Sequence, residues 1–284
     1  MQMFGRTVIY TDVSSVTAEN VCEVLNKAAA VHSQNSAEIN YLYDYYKGKT
    51  PILSKTKEIR TDINHQICEN RANEIVSFKT GYCFGEPVQY ILRGEKAGLV
   101  KAIDTLNDYM FYSDKAAADR RLADWMHIAG VGYRMALPVK ERDEDEPPFE
   151  FYTLDPRHTF VVYSSGIGNK PMMCVKCVMK ENQIPVYSVY TKNMYFEIEN
   201  GVLMKAEPHV LGMLPIIEYP ANTARLGAFE IVLPLLDALN EVESNRLDDV
   251  EQFVNSFIAL LGGTIDEETA NKLDEHKMLC LPEG

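Results

Sequence analysis

The feature that most constrains the fold is a change of hydrophobic period near Gly132. Before it, apolar residues recur at helical spacing. Val21, Leu25 and Ala28 form one face within 17–35, and Ile39, Leu42, Tyr45 and Tyr46 form another within "SAEINYLYDYYKG" (36–48), which stops at Gly48. The spacing predicts another helix over 61–85, with Ile63, Ile67, Ala72, Ile75 and Val76 inward and His65 capping or packing within it. "PVQYIL" reads as a short strand, and "LVKAIDTLNDYM" and "AAADRRLADWMHIAGVGY" read as two more helices, the second favoured by its alanines.

After Gly132 the period shortens. "YRMALPV", "FEFYTL", "TFVVYS", "MMCVKCVMK", "PVYSVYT", "MYFEIEN", "GVLMKA" and "LPIIEYP" are rich in Val, Tyr, Phe and Ile and are separated by turn residues. They predict an antiparallel meander, with Asn200–Gly201 as a hairpin turn. Helical spacing returns from about Phe229 to Leu261, on the order of 50 Å of helix. Pro234 belongs in its first turns, Gly262–Gly263 ends it, and a short helix and one strand follow. Helices, then sheet, then one long helix make the chain α+β rather than alternating α/β.

Of 284 residues, 46% are hydrophobic, enough for one large or two ordinary cores, and the 24% charged content is that of a globular protein. No apolar run approaches the roughly 20 residues that span a bilayer, so no membrane is expected. Six scattered cysteines and an N-terminus without a secretory pattern fit a reducing cytoplasm. With 28 basic against 41 acidic residues the net charge is −13. That excludes a tight nonspecific grip on nucleic acid, but not a protein that surrounds DNA without holding it.

Motifs that suggest chemistry lack its geometry. "KGKT" (47–50) has Tyr43 where a phosphate loop needs glycine and Pro51 where it needs a helix, so it reads as a turn. Cys174 and Cys177 in "CVKC" would point to opposite faces of a strand, and no second pair with zinc spacing follows. The six histidines never pair at i, i+4, and no nucleophile elbow is present. "KERDEDEPP" (140–148) lacks calcium-loop spacing and reads as a solvated hairpin tip. The tyrosines of "YLYDYYKG", without interleaved arginine, read as core rather than as base-stacking platforms. No catalytic, cofactor or metal site is expected.

Four stretches carry a resemblance: "YLYDYYKGKTPIL", "RTDINHQICENRANEIVSFKTGYCFGEPVQY", "LDPRHTFVVYS" and "LPIIEYPANTARLGAFEIVLPLLDALNEVESNRLDDVEQFVNSF". In this order and spacing, over about residues 20–284, the chain resembles the portal proteins of long-tailed bacteriophages, in the branch typical of phages of Gram-positive bacteria. The resemblance implies a non-enzymatic ring of about twelve subunits at a capsid vertex, assembled in the bacterial cytoplasm and carried in the virion. Double-stranded DNA would pass through it without sequence-specific binding. The terminase motor, the capsid and scaffolding protein, and the head-tail connector would be its partners.

On that resemblance, 1–35 is an N-terminal arm, 36–228 a wing-like α+β domain, 229–261 a first stem helix and 262–284 the start of a clip. The pattern's second stem helix, channel loop, kinked helix and crown are missing, so the expectation is a C-terminally truncated member. A nucleic-acid-modifying phage enzyme and a remnant portal gene in a bacterial chromosome are the alternatives. On the long helix, Val232, Leu235, Leu236 and Leu239, and further on Val250, Phe253 and Phe257, form stripes able to pack on another helix or subunit. Between and beside them Glu241, Glu243, Asp248, Asp249 and Glu251 are expected to face water, and on the resemblance to face the DNA channel.

Overall fold

A computed structural model describes residues 5–58, 61–94, 97–139, 141–143, 146–182, 184–254, 258–261 and 278–281. The chain divides into two compact units, one of 1–48 with 70–233 and the other of 49–69 with 234–284.

The first unit holds strand β1 (Ile9–Thr11) and helices α1 (Val21–Tyr46), α2 (Arg71–Phe84), α3 (Ala97–Tyr112) and α4 (Lys115–Ala129). Eight strands follow: β2 (Val131–Pro138), β3 (Phe149–Leu154), β4 (Thr159–Ser164), β5 (Pro171–Met179), β6 (Pro185–Tyr190), β7 (Met194–Glu199), β8 (Val202–Pro208) and β9 (Ile216–Pro220). They form two sheets rather than the single meander expected. One has six strands in the order β1-β4-β5-β6-β7-β8, and the other has three in the order β3-β2-β9. Every pair is antiparallel except β1 with β4, a parallel contact between distant segments that local pattern cannot announce. The turn at Asn200–Gly201 has φ of +51° and +77° and joins β7 to β8 through Glu199↔Val202, as the Asn-Gly pair requires.

Strands β4 and β5 are buried on both faces, which is why they read as continuous apolar runs. Phe160, Val162, Met173 and Val175 meet Val21, Val24, Leu25 and Ala28 of α1 in one core. The alternate residues Val161 and Cys174 join Ile39, Ala129, Val131, Tyr133 and Ile216 in a second. Burial pushes the Cys174 thiol up to about 12, so this cysteine is inert packing rather than a redox group. Gly130 ends α4 at φ +78°, and a Cβ there would lie 2.0 Å from the Arg225 carbonyl oxygen, so the approach of the 221–228 loop requires glycine.

The helical pattern over 17–35 and its continuation over 36–48 form one helix, α1. Polar residues in its middle are buried and used: Asn35 accepts from the Thr7 N–H at 2.9 Å and donates to the Thr7 carbonyl at 2.8 Å. Glu38 lies 3.1 Å from the Arg6 guanidinium, which also binds Glu230 at 2.5 Å, all three side chains being buried. Asn107 of α3 likewise accepts from Tyr90 N–H and donates to Tyr90 C=O, both at 3.0 Å. The "PVQYIL" segment forms no strand, and the Tyr90 backbone pairs instead with one side-chain amide.

The second unit contains the 3-10 turn Pro51–Ser54, helix α5 (Leu233–Val254) from Pro234 onward, and the parallel pair β10 (Ile258–Leu261) and β11 (Met278–Leu281). Two expectations are corrected here. The long helix does not reach Leu261, since β-branched and leucine-rich "IALL" pairs as a strand. The helix expected over 61–85 begins only at Arg71, where the Asn70 side chain accepts from the Asn73 N–H. Phe257 and the segments 262–277 and 282–284 lie outside the described residues.

Candidate functional site

By about 100° per residue, Leu236, Asn240, Ser244 and Asp248 occupy one side of α5. All four are buried, Ser244 and Asp248 completely. A buried helix face is ordinarily apolar; here three successive positions, four residues apart, are polar.

Each meets the backbone of an extended strap. The Asn240 amide oxygen accepts from the Glu69 N–H at 2.9 Å, the Ser244 hydroxyl oxygen from the Ile67 N–H at 3.0 Å, and an Asp248 carboxylate oxygen from the His65 N–H at 2.7 Å. Four helical residues advance about 6.0 Å and two extended residues about 6.6 Å, so alternate amides of 65–69 fall opposite every fourth residue of α5. Ser244 donates its own proton to the Asn240 carbonyl at 2.7 Å, which leaves its oxygen lone pairs for the strap. The helix thus takes the place of a neighbouring strand and satisfies partly buried backbone donors of the strap.

Charge closes one end of this ladder. The second Asp248 oxygen binds Lys57 Nζ at 2.5 Å and lies 3.4 Å from Lys55 Nζ, and the His65 Nδ1 is 2.9 Å from the first. Lys55 Nζ also donates to Asn245 at 2.6 Å, while the Lys55 carbonyl accepts from Asn64 and Gln66. Burial on its own raises a carboxyl pKa. The His65 N–H, the Lys57 ammonium, the His65 ring and Lys55 outweigh it and hold Asp248 well below the usual carboxylate range. A carboxylate so stabilised is a poor base, and among the described residues no three His, Cys, Asp or Glu cluster to hold a metal. The arrangement is a clamp that fixes a strap to a helix.

The expected site residues part company on this helix. Asp248 was expected to face water and instead faces the strap, because it is the acceptor two lysines and a backbone amide converge on. Glu241 and Asp249 are exposed and Glu243 and Glu251 partly so, with Glu251 3.5 Å from His65 Nε2 and Glu243 4.0 Å from Arg246. Leu236 is buried, and Val232 and Leu239 are partly so. Leu235 (67%), Val250 (55%) and Phe253 (81%) are exposed, as is Val242. Leu235, Val242 and Phe253 lie on the side opposite the polar row. His65 neither caps nor packs within a helix. Sequence reading missed Asn240, Ser244, Lys55 and Lys57; the one signal that could have found them is the polar row at i, i+4, i+8.

None of the curated proteins compared with the chain matches it. The family model described as phage portal protein, SPP1 Gp6-like, matches residues 25–283, which takes in both units, the strap and the clamped helix. The chain therefore belongs to the SPP1 Gp6-like family of phage portal proteins.

Proposed function

We propose that the chain is the subunit of a ring of about twelve copies at a capsid vertex, forming the conduit through which double-stranded DNA is packaged and ejected. Residues 36–228 serve as the wing, α5 as the first stem helix and 262–284 as the start of the clip. Terminase, capsid and scaffolding protein, and the head-tail connector dock on the ring. The subunit has no chemistry of its own, and the motor partner supplies the energy.

One observation carries this reading beyond the family. Helix α5 satisfies its inner face within its own unit by polar contacts, while Leu235, Val242 and Val250 are exposed. Apolar residues repeated along one exposed helical face favour a second helix, and in a closed ring the neighbouring copy provides it. Of the acids expected at the channel, Asp249 lies on the apolar face itself and Glu251 beside His65, while Glu241 and Glu243, on the two flanks of that face, remain to face the channel. There, carboxylates repel phosphate and keep the duplex from adhering, which a conduit needs and a DNA-binding protein avoids. The test is native mass by mass photometry, with negative-stain imaging. Rings with a central hole are expected; a uniform monomer from well-folded chain overturns the reading.

A further inference from the structure

Helix α3 is the most apolar of α1–α5, with Lys101, Asp104 and Asp108 its only charged residues, yet none of its described side chains is buried. An apolar helix is ordinarily a covered one. Asn107 pairs with the Tyr90 backbone and the Tyr109 ring meets Phe149 edge-on at 6.3 Å, which fixes the helix without covering it. Leu99, Val100, Phe111 (82%) and Tyr112 (68%) are exposed, and the last two rings meet edge-on at 5.9 Å as one knob at the end of the helix. Helix α2 differs: it exposes the stacked rings of Phe78 and Tyr82, but it buries Ala72, Val76 and Thr80 on its other side.

The first unit also carries an apolar groove of about 460 Å³ beside β4 and β9. Among its lining residues Val161 and Ile216 are buried, Tyr163 and Leu214 half-buried, and Met213 exposed. Glu218 lines it as well, but Arg225 and the Tyr133 hydroxyl already hold that carboxylate. The volume lies in the range of about 300–1,000 Å³ that admits a small aromatic ligand, and Lys192 beside it would attract a ring face.

We propose that the Phe111–Tyr112 knob of one copy enters the groove beside β4 and β9 of the next, a head-to-tail contact between first units. The inference rests on the ring reading and deepens it by naming the two surfaces that meet. A head-to-tail contact needs two different patches on the same chain that fit each other, and only such a contact can close into a ring. A two-fold pairing of knob on knob would leave the groove without an occupant. Aromatic side chains seated in pockets are the usual energetic centres of interfaces. At 150–250 Å² for a wholly buried aromatic ring, the four exposed side chains of α3 present roughly 500 Å², over half of the about 800 Å² that each side of a stable interface buries.

The test is sedimentation velocity on the full chain over a range of concentrations. Phe111→Ser with Tyr112→Ser is expected to raise the concentration of half-assembly by about thirtyfold, and Met213→Ser with Leu214→Ser by about tenfold. Met213→Ser alone changes an exposed residue, weakens assembly in the same direction and guards against misfolding of the groove pair. Phe78→Ser with Tyr82→Ser removes as much exposed aromatic surface from α2 and is expected to change assembly by no more than about twofold. Mixing decides the geometry: the knob and groove variants together should form pairs at concentrations where neither associates alone, since each keeps the half that the other lacks. The proposal is overturned if the knob variant assembles like the unaltered chain, if the α2 pair weakens assembly as much, or if mixing restores nothing. Any of these results beside intact rings of the unaltered chain sinks this contact and leaves the ring; an unaltered chain that stays monomeric sinks both.

Discussion

Helices α1 and α5 are of comparable length, 26 and 22 residues, yet they bury opposite kinds of surface. The N-terminal half of α1 meets a sheet whose backbone groups are already paired, so what it must supply is apolar area: Val21, Val24, Leu25 and Ala28. The inner side of α5 meets an extended strap without strand neighbours, so what it must supply is acceptors: Asn240, Ser244 and Asp248. The kind of surface a helix buries is dictated by whether its neighbour still has hydrogen bonds to make. Where α1 also meets unpaired backbone, at Thr7, it too turns polar and uses Asn35.

This contrast can be broken by measurement. Leu25→Ala should cost about 3 kcal/mol of global stability by cavity formation, read as a lower urea midpoint. A loss below about 1 kcal/mol would mean that the α1 core is not what holds the first unit. The next effect is reached by acid. His32 of α1 stacks on Phe160 at 4.4 Å, and burial lowers its pKa from 6.5 to about 4, offset in part by the Arg157 carbonyl. The unfolded chain takes up this proton first, so stability falls as pH drops from 6.5 toward 4 and the decline then levels. The full effect is about 3 kcal/mol at about 1.4 kcal/mol per pKa unit. His32→Phe should flatten that slope; an unchanged slope would place the titrating group elsewhere.

Asp248→Ala should cost about 2 kcal/mol locally, by stranding the His65 amide and uncoupling Lys55 and Lys57. Hydrogen exchange is the readout: protection at the amides of 65, 67 and 69 falls in the variant. Because the Asp248 pKa is depressed, acid alone should release the strap only below the ordinary aspartate range, near 4, where this carboxylate at last takes up a proton. Ser244→Ala removes one rung and should cost about 1 kcal/mol, seen chiefly at the Ile67 amide. Loss of protection at all three amides together would show that the rungs open as a unit. The smallest stability effect belongs to Val250→Ser, within about 0.5 kcal/mol because the side chain is exposed, though it should reduce native mass if the outward face packs on another copy.

Much of this was legible in the sequence, and the failures share one cause. The change of period at Gly132, the Asn200–Gly201 hairpin and the presence of helix before, between and after were readable because apolar spacing carries them. The strap was misread as the start of α2 because Ile63 and Ile67 are four apart, a spacing helices and chance both produce. Asn70, the residue that does start α2, was visible and passed over. Asp248 was grouped with its acidic neighbours because a carboxylate's partners, Lys55 and Lys57, lie almost two hundred residues away. Periodicity reports apolar burial, and it is blind wherever a helix is buried through polar atoms. The β1–β4 pairing was illegible for the plainer reason that it joins segments about 150 residues apart.

The strap and α5 also behave as two scales of slightly different pitch laid side by side. Each rung advances about 6.0 Å on the helix and about 6.6 Å or more on the strap, so the mismatch grows by about 0.6 Å per rung, a fifth of a hydrogen-bond length. Two steps are absorbed by side-chain torsions; a few more would leave donor and acceptor out of reach. Such a vernier limits its own length, and the strap accordingly leaves the helix after Glu69, where Asn70 begins α2. It also opposes gradual slip, since any shift along the strap would part Asp248 from the His65 amide and from Lys55 and Lys57 together.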